Sequence, residues 1–369
     1  MVSSPVRIRE VPMHKRYITW MVLAFLGGGC GTDEEIFDPP ARVAIPPEAI
    51  IASFGELTDT TEVEVLTWAR LASLSESGRY LAIGDNAPPF LRILDRKKGT
   101  KTSFGERGNG PGELMSAYSL DFLGDSILLV LSSGQRLERF TVAGESLGGH
   151  RLPDTGVLVR SIAVACDDRV FAYGVPVGHR QLDTVPWVHE LKLGSEISAE
   201  ALLDIPGTGY LMGYGGLNGF DGNSDGLLLW HRAREPQVGY WLPCDGGSSV
   251  LWSHTAPREI VERSLTLEGR EVGGSVLTLP DTLFQGAAAF GEVKVRVRKA
   301  LRPEDGVEVS SFHVVEKDEC REVELLGNWT LHDAHREGLV METSDPFPRV
   351  QVVEWAWFNA VLSRVSCGL

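Results

Sequence analysis

Short apolar runs, opened by glycine or aspartate and closed by charge or glycine, return in pairs along most of this chain. The clearest are Gly78-Arg79-Tyr80-Leu81-Ala82-Ile83 with Phe90-Leu91-Arg92-Ile93-Leu94, and Asp125-Ser126-Ile127-Leu128-Leu129-Val130 with Arg136-Leu137-Glu138-Arg139-Phe140. Paired short strands with turn residues between them read as β-hairpins. Fainter pairs join 168–173 to 188–191, 226–230 to 238–241, 291–295 to 308–312, and 338–341 to 350–353. That makes six units, spaced about 52 residues apart between Gly78 and Gly338, room for four short strands and their loops. The 41 glycines of this 369-residue chain suit many tight turns better than long helices.

One exact echo supports the repeat. Ser53-Phe54-Gly55-Glu56 recurs as Ser103-Phe104-Gly105-Glu106, and the second copy follows two central strands, where a unit's outermost strand should end. The first copy precedes every complete unit. An orphan outer strand at the start fits a ring whose last unit lacks one, so residues 48–57 are expected to pair with the strand near 350–357, closing an edge that would otherwise be open.

The start of the chain reads as an address. His14-Lys15-Arg16 precedes the uncharged run Tyr17 to Leu26, and Gly27-Gly28-Gly29-Cys30 follows: a basic region, a short apolar region and a small-residue cleavage zone. Ten apolar residues are too few to span ~30 Å of hydrocarbon as a helix. Met13 offers a compact alternative start. Residues 31–47 have no period and contain two Pro-Pro pairs, the composition of a semi-extended tether. The expected organisation is a signal peptide over 1–29, a tether over 30–47 and one all-β domain over 48–369.

Charge narrows the function classes. The formal charge of −15 becomes about −18 once residues 1–29 are removed, and no basic stripe compensates it. Such a surface repels phosphate backbones, so no nucleic-acid partner is expected.

Two resemblances follow from these residues. The Gly27-Gly28-Gly29-Cys30 junction resembles the lipobox of bacterial lipoproteins, with Gly27 where the family usually has leucine. It implies acylation of Cys30 and a membrane partner reached through that lipid, and Gly31 after it points to the outer membrane. The motif Phe104-Gly105-x-x-Gly108-x-Gly110-Pro111-Gly112-Glu113-Leu114, followed by a hairpin ending in Gln135-Arg136-Leu137-Glu138-Arg139-Phe140, resembles the NHL-repeat family and its lipoprotein relatives within the TolB-like propeller superfamily. That resemblance is sharp over about residues 64–150. It implies a six-bladed β-propeller of four-stranded antiparallel blades, with ligands or partners at one face.

Candidate chemistry is sparse. Asp221-Gly222-Asn223-Ser224-Asp225-Gly226 places oxygen ligands Asp221, Asn223 and Asp225 at alternate positions, as calcium loops do, but Arg232 stands where a bidentate glutamate would complete an EF-hand. The same residues also build an ordinary turn. His332-x-x-His335 with Asp333 and Glu337 invites a metal reading that a strand geometry weakens. The glycine-rich stretch 206–220 offers Tyr210, Tyr214 and Phe220 either as a binding loop or as packing between blades. Residues 258–263 read as a short helical insertion. Cys166, Cys244, Cys320 and Cys367 permit two disulfides in an exported chain.

No catalytic residue, no nucleophile elbow and no H-E-x-x-H motif is identified. The expectation is a monomeric binding module at the bacterial cell envelope, on the outer-membrane or periplasmic side, with a protein, peptide or glycan ligand and no cofactor beyond a possible calcium. The alternative is a calcium-dependent hydrolase similar to the gluconolactonase and paraoxonase propellers.

Overall fold

Strand β8 (Ile127–Ser132) is apolar at nearly every position, a pattern that a strand with one wet face would not have. Its neighbours explain this. Leu128 and Val130 pack into one apolar cluster and Leu129 and Leu131 into another, on the opposite face of the same sheet. Both faces are therefore buried, as they are when sheets stack around a ring.

A computed structural model describes residues 41–55, 66–176, 188–194, 196–203, 219–231, 237–245, 249–254, 282–301, 308–317, 319–343 and 348–365. Within them lie six sheets. Blade 1 comprises β3 (Ala69–Leu74), β4 (Tyr80–Asp85), β5 (Leu91–Asp95) and β6 (Thr100–Phe104). Blade 2 comprises β7 (Ala117–Leu123), β8, β9 (Arg136–Thr141) and β10 (Ser146–Arg151). Blade 3 is β11 (Val157–Ala165), β12 (Arg169–Pro176), β13 (Val188–Leu193) and β14 (Ile197–Leu203). Blade 4 is β15 (Gly219–Asn223), β16 (Gly226–His231), β17 (Gln237–Pro243) and β18 (Ser249–His254). Blade 5 is built from β19 (Thr282–Phe290), β20 (Val293–Leu301), β21 (Glu308–Glu316) and β22 (Glu319–Leu326). Blade 6 takes β23 (Trp329–His335), β24 (Gly338–Thr343) and β25 (Arg349–Glu354), with a fourth strand from the start of the chain.

The first strand of each blade lies beside the first strand of the next, and β23 lies beside β3, so the ring closes. This is the expected six-bladed β-propeller, and all six expected hairpins are the second and third strands of its blades. The described core divides into six clusters, one at each seam between blades. Each fully buried Leu, Val or Phe in them contributes about 1.5–3 kcal/mol of transfer free energy.

Closure takes the anticipated form. Strand β2 (Ile50–Phe54) runs antiparallel to β25, with Ser53 opposite Gln351 and Phe54 opposite Val350. Phe54 is buried in the seam between blades 6 and 1, with Ala69, Leu81 and Val340. Gly55 then turns the chain at φ +97°, where an added Cβ would stand 2.5 Å from the Pro348 carbonyl oxygen. Gly105, in the second copy of the echo, has φ +80° at the end of β6. The repeated tetrapeptide is thus the end of a fourth strand plus the left-handed glycine that releases it.

Two features were not foreseen. The folded body begins before residue 48, because β1 (Ala41–Val43) pairs in parallel with β22 and Arg42 donates to Glu324 at 2.9 Å. The tail adds helix α1 (Trp355–Val361), whose Phe358 is buried edge-on against Phe312, and β26 (Ser363–Val365), antiparallel to β22. Blade 5 thereby gains two extra strands. The expected signal region lies outside the described residues.

A chain beginning at residue 56 lacks the fourth strand of blade 6 and should melt well below the parent and less cooperatively. An unchanged melting temperature in calorimetry would contradict closure by β2.

Candidate functional site

Inner strands of a ring present one backbone edge to the central channel, and the amide groups on that edge have no strand to pair with. Three aspartates meet this need. Asp121, Asp221 and Asp333 each sit two residues before the end of an inner strand, in blades 2, 4 and 6. Asp121 Oδ2 accepts the Val164 amide of blade 3 at 2.6 Å, Asp221 Oδ2 accepts the Ala289 amide of blade 5 at 2.8 Å, and Asp333 Oδ2 accepts the Leu74 amide of blade 1 at 2.6 Å. The residue before each bonded amide is small and buried: Ala163, Ala288 and Ser73. Carboxylates on alternate blades therefore reach across to small residues on the blades between them.

Ser73 adds a further link, donating from Oγ to Asp121 Oδ1 at 3.0 Å. Each of the three aspartates keeps some accessible surface. Burial, and then the Asp333 charge, push the Asp121 carboxyl up to about 7, against the opposing hydrogen bonds from Val164, Phe122 and Ser73. Burial raises Asp221 well above the ordinary carboxylate range, aided by the charges of Asp333 and Asp121. Asp333 is also raised by burial, which outweighs the Leu74 hydrogen bond and the nearby His335. The collar can hold protons near neutrality, since three like charges in one confined space disfavour full ionisation.

The two ends of the ring differ. At the collar end, the strands turn through short connections such as 124–126, 166–168, 224–225 and 336–337. At the other end, where the inner strands begin, the described connections include 86–90, 105–116 and 152–156. Trp68 and Tyr118, 54% and 46% exposed, stand there at the entrances of β3 and β7, with Met115 exposed nearby. The approach to β3 is fixed by Asp85, which accepts the Thr67 and Trp68 amides and the buried Arg92 guanidinium at 2.8–2.9 Å.

The residues singled out in the sequence fall into separate places. Asp221 faces the collar, while Asn223 Oδ1 caps its own turn by accepting the Asp225 and Gly226 amides. The loop is thus built as a strand turn, with its first carboxylate engaged elsewhere. Among the described residues, no group of three or more His, Cys, Asp or Glu side chains is arranged to hold a metal ion. His332 pairs with Glu342 at 3.0 Å, and His335 meets the Glu76 carbonyl across the seam to blade 1 at 2.8 Å. Phe220 does not belong to an exposed binding loop: it points into the seam between blades 3 and 4, its ring 6.0 Å from that of Tyr173. Tyr210, Tyr214, Cys30, Cys367 and residues 258–263 lie outside the described residues.

Cys166 and Cys244 are joined in a disulfide between blades 3 and 4, with the 221–226 turn between them: Cys166 N donates to Asn223 O and Cys244 N to Asp225 O, both at 3.0 Å. Cys320 is disulfide-bonded too. Asp121 escaped notice in the sequence, and Asp333 was singled out only beside His332 and His335 as a metal candidate, not for its tie to blade 1. Their signal was an aspartate two positions before the first turn of alternate units.

A solved structure shares the fold. The chain aligns over 85% of its length with 94% of a protein from Bacteroides fragilis described as exported, at 11% identity and a TM-score of 0.53. It also aligns with hydrazine synthase from Kuenenia stuttgartiensis over 82% of each chain, at 10% identity and TM-score 0.47. The β-propeller domain of Myceliophteria thermophila Cps50 (Swd1) aligns over 78% of this chain and 96% of its own, at 12% identity and TM-score 0.44. At such identities the likeness is one of fold alone. No protein-family model and no curated protein sequence matches the chain.

The Cys166–Cys244 bond closes a separation of 78 residues, so the double variant C166A/C244A should lose about 4 kcal/mol of unfolding free energy on the chain-entropy account. Urea titration would measure it, and a change within error would show that the blade 3–4 seam does not need the bond.

Proposed function

We propose that this chain is an exported, lipid-anchored β-propeller that binds a protein, peptide or glycan at the bacterial cell envelope, through the end of the ring opposite the carboxylate collar. The uneven ends carry this reading. Short turns occupy one end, whereas the twelve-residue connection 105–116 and the exposed Trp68, Met115 and Tyr118 gather at the other. Recognition residues concentrate on loops held by a rigid scaffold, and exposed aromatic groups are common anchors. Export is supported by the disulfide between Cys166 and Cys244, since such bonds persist in oxidising compartments. The leader and Cys30 supply the anchor, with acyl chains contributing ~0.8 kcal/mol per buried CH₂. Fold does not by itself assign an activity, so the reading rests on the site and the leader.

The anchor is tested by fractionating cells that express the parent or Cys30→Ser. The parent should sediment with membranes and the variant should not; identical distributions would overturn lipidation. The binding end is tested by replacing Trp68 and Tyr118 with alanine and crosslinking in intact cells. The replacement should keep the parent's melting temperature within a few degrees and lose the parent's adducts. Adducts that persist after this change and vanish when the 142–145 turn is altered would place recognition at the wrong end.

A further inference from the structure

We propose that Asp121, Asp221 and Asp333 form a proton-dependent latch that holds the ring tightest in mild acid and loosens it as the carboxyls ionise. The geometry carries it. Each aspartate ties its own blade to the following one, at the seams 2–3, 4–5 and 6–1, and the last of these is the seam at which the ring closes. All three occupy one level of the channel, two residues from the end of their strands.

The groups facing them are nearly all uncharged. Asp121 meets the Ser73 hydroxyl of β3, the Val164 amide of β11, its neighbour Phe122 and the charge of Asp333 on β23. Asp221 meets the Ala289 amide of β19, the Gly222 amide and the charges of Asp333 and Asp121. Asp333 meets the Leu74 amide of β3, the Ala334 amide, Ser73 and His335. Among these described neighbours only His335 can bring positive charge, and its Nδ1, the atom that would take the proton, already accepts the Glu337 amide at 3.2 Å while Nε2 donates to the Glu76 carbonyl. Three ionised carboxylates would therefore repel one another with little to balance them.

The sign of the pH effect follows. A neutral carboxyl still accepts an amide through its carbonyl oxygen, so protonation removes repulsion without losing the tie between blades. Since Asp121 is raised from 3.8 to about 7, the folded ring binds more protons than the unfolded chain between those values. Stability from this group is complete below the unfolded value and is lost as pH rises toward about 7. The direction is the reverse of an ordinary salt-bridged aspartate. A protein at the cell envelope meets the external pH directly, so there the latch would tune the stiffness of a ring whose other end is exposed for binding. The latch does not depend on the binding reading and is tested separately.

The test compares melting temperatures of the purified chain, Asp121→Asn and Asp333→Asn from pH 5 to pH 8. Asparagine keeps the amide acceptor and cannot ionise. Each variant should match the parent at pH 5 and exceed it at pH 8 by roughly 2–4 °C for each kcal/mol of repulsion removed. Asp121→Ala, which leaves the Val164 amide without its acceptor, should fall below the parent at both pH values. Infrared spectra of the unmodified chain give a readout that needs no variant: the carbonyl stretch of neutral carboxyls should persist at pH 6 and weaken by pH 8, by at least the share of Asp121. Parallel melting curves for parent and asparagine variants, or full ionisation already at pH 6, would overturn the latch. So would a parent that millimolar calcium stabilises strongly at pH 8 while leaving Asp121→Asn unaffected, because the collar would then be a cation site.

Discussion

The pairing of β2 with β25 is the contact on which the remaining structure depends. Five blades are continuous in the chain, but blade 6 has only three strands of its own and takes its fourth from residues 50–54. Without that strand the outer edge of β25 would be bare and Phe54 would leave the seam it shares with Ala69, Leu81 and Val340. The same seam carries the tie from Asp333 to Leu74 and the 2.7 Å ion pair of Arg96 with Glu337. Covalent continuity joins each other pair of neighbouring blades directly. At this seam, strand pairing, apolar packing and polar ties must do so together.

Much of the ring was legible from local pattern. Strands such as Ile127–Ser132 are apolar at nearly every position because both faces meet another blade, and that makes the second and third strands of each unit conspicuous. The echo of Ser-Phe-Gly-Glu was legible because closure needs the same local device twice, a buried phenylalanine followed by a glycine in the left-handed region. The extra strands on blade 5 left no such trace. Ala41-Arg42-Val43 is too short to show a period, and its place on β22 is set by tertiary contact. The carboxylate collar was equally hidden, since an aspartate near a turn reads as a turn former, and only the ring brings three of them, about a hundred residues apart, to one level.

The same architecture separates two roles by position. Short turns, the disulfide and the collar lie at one end, where they bind blade to blade. The exposed aromatic groups and the 105–116 connection lie at the other. Buried carboxylates are costly, and Asp121, Asp221 and Asp333 reduce that cost by taking the backbone amides that inner strands leave unpaired. What would otherwise be two defects, unpaired amides and buried acids, becomes one set of ties between blades.

The most direct test of the closed ring is hydrogen exchange measured by mass spectrometry on peptides covering 50–54, 349–354 and 127–132. Closure by a strand that belongs to the cooperative core predicts that amides of β2 and β25 open with the same free energy as those of β8. Exchange in β2 that is orders of magnitude faster, with β8 still protected, would show that the N-terminal strand merely rests on the ring and that the closure account is wrong.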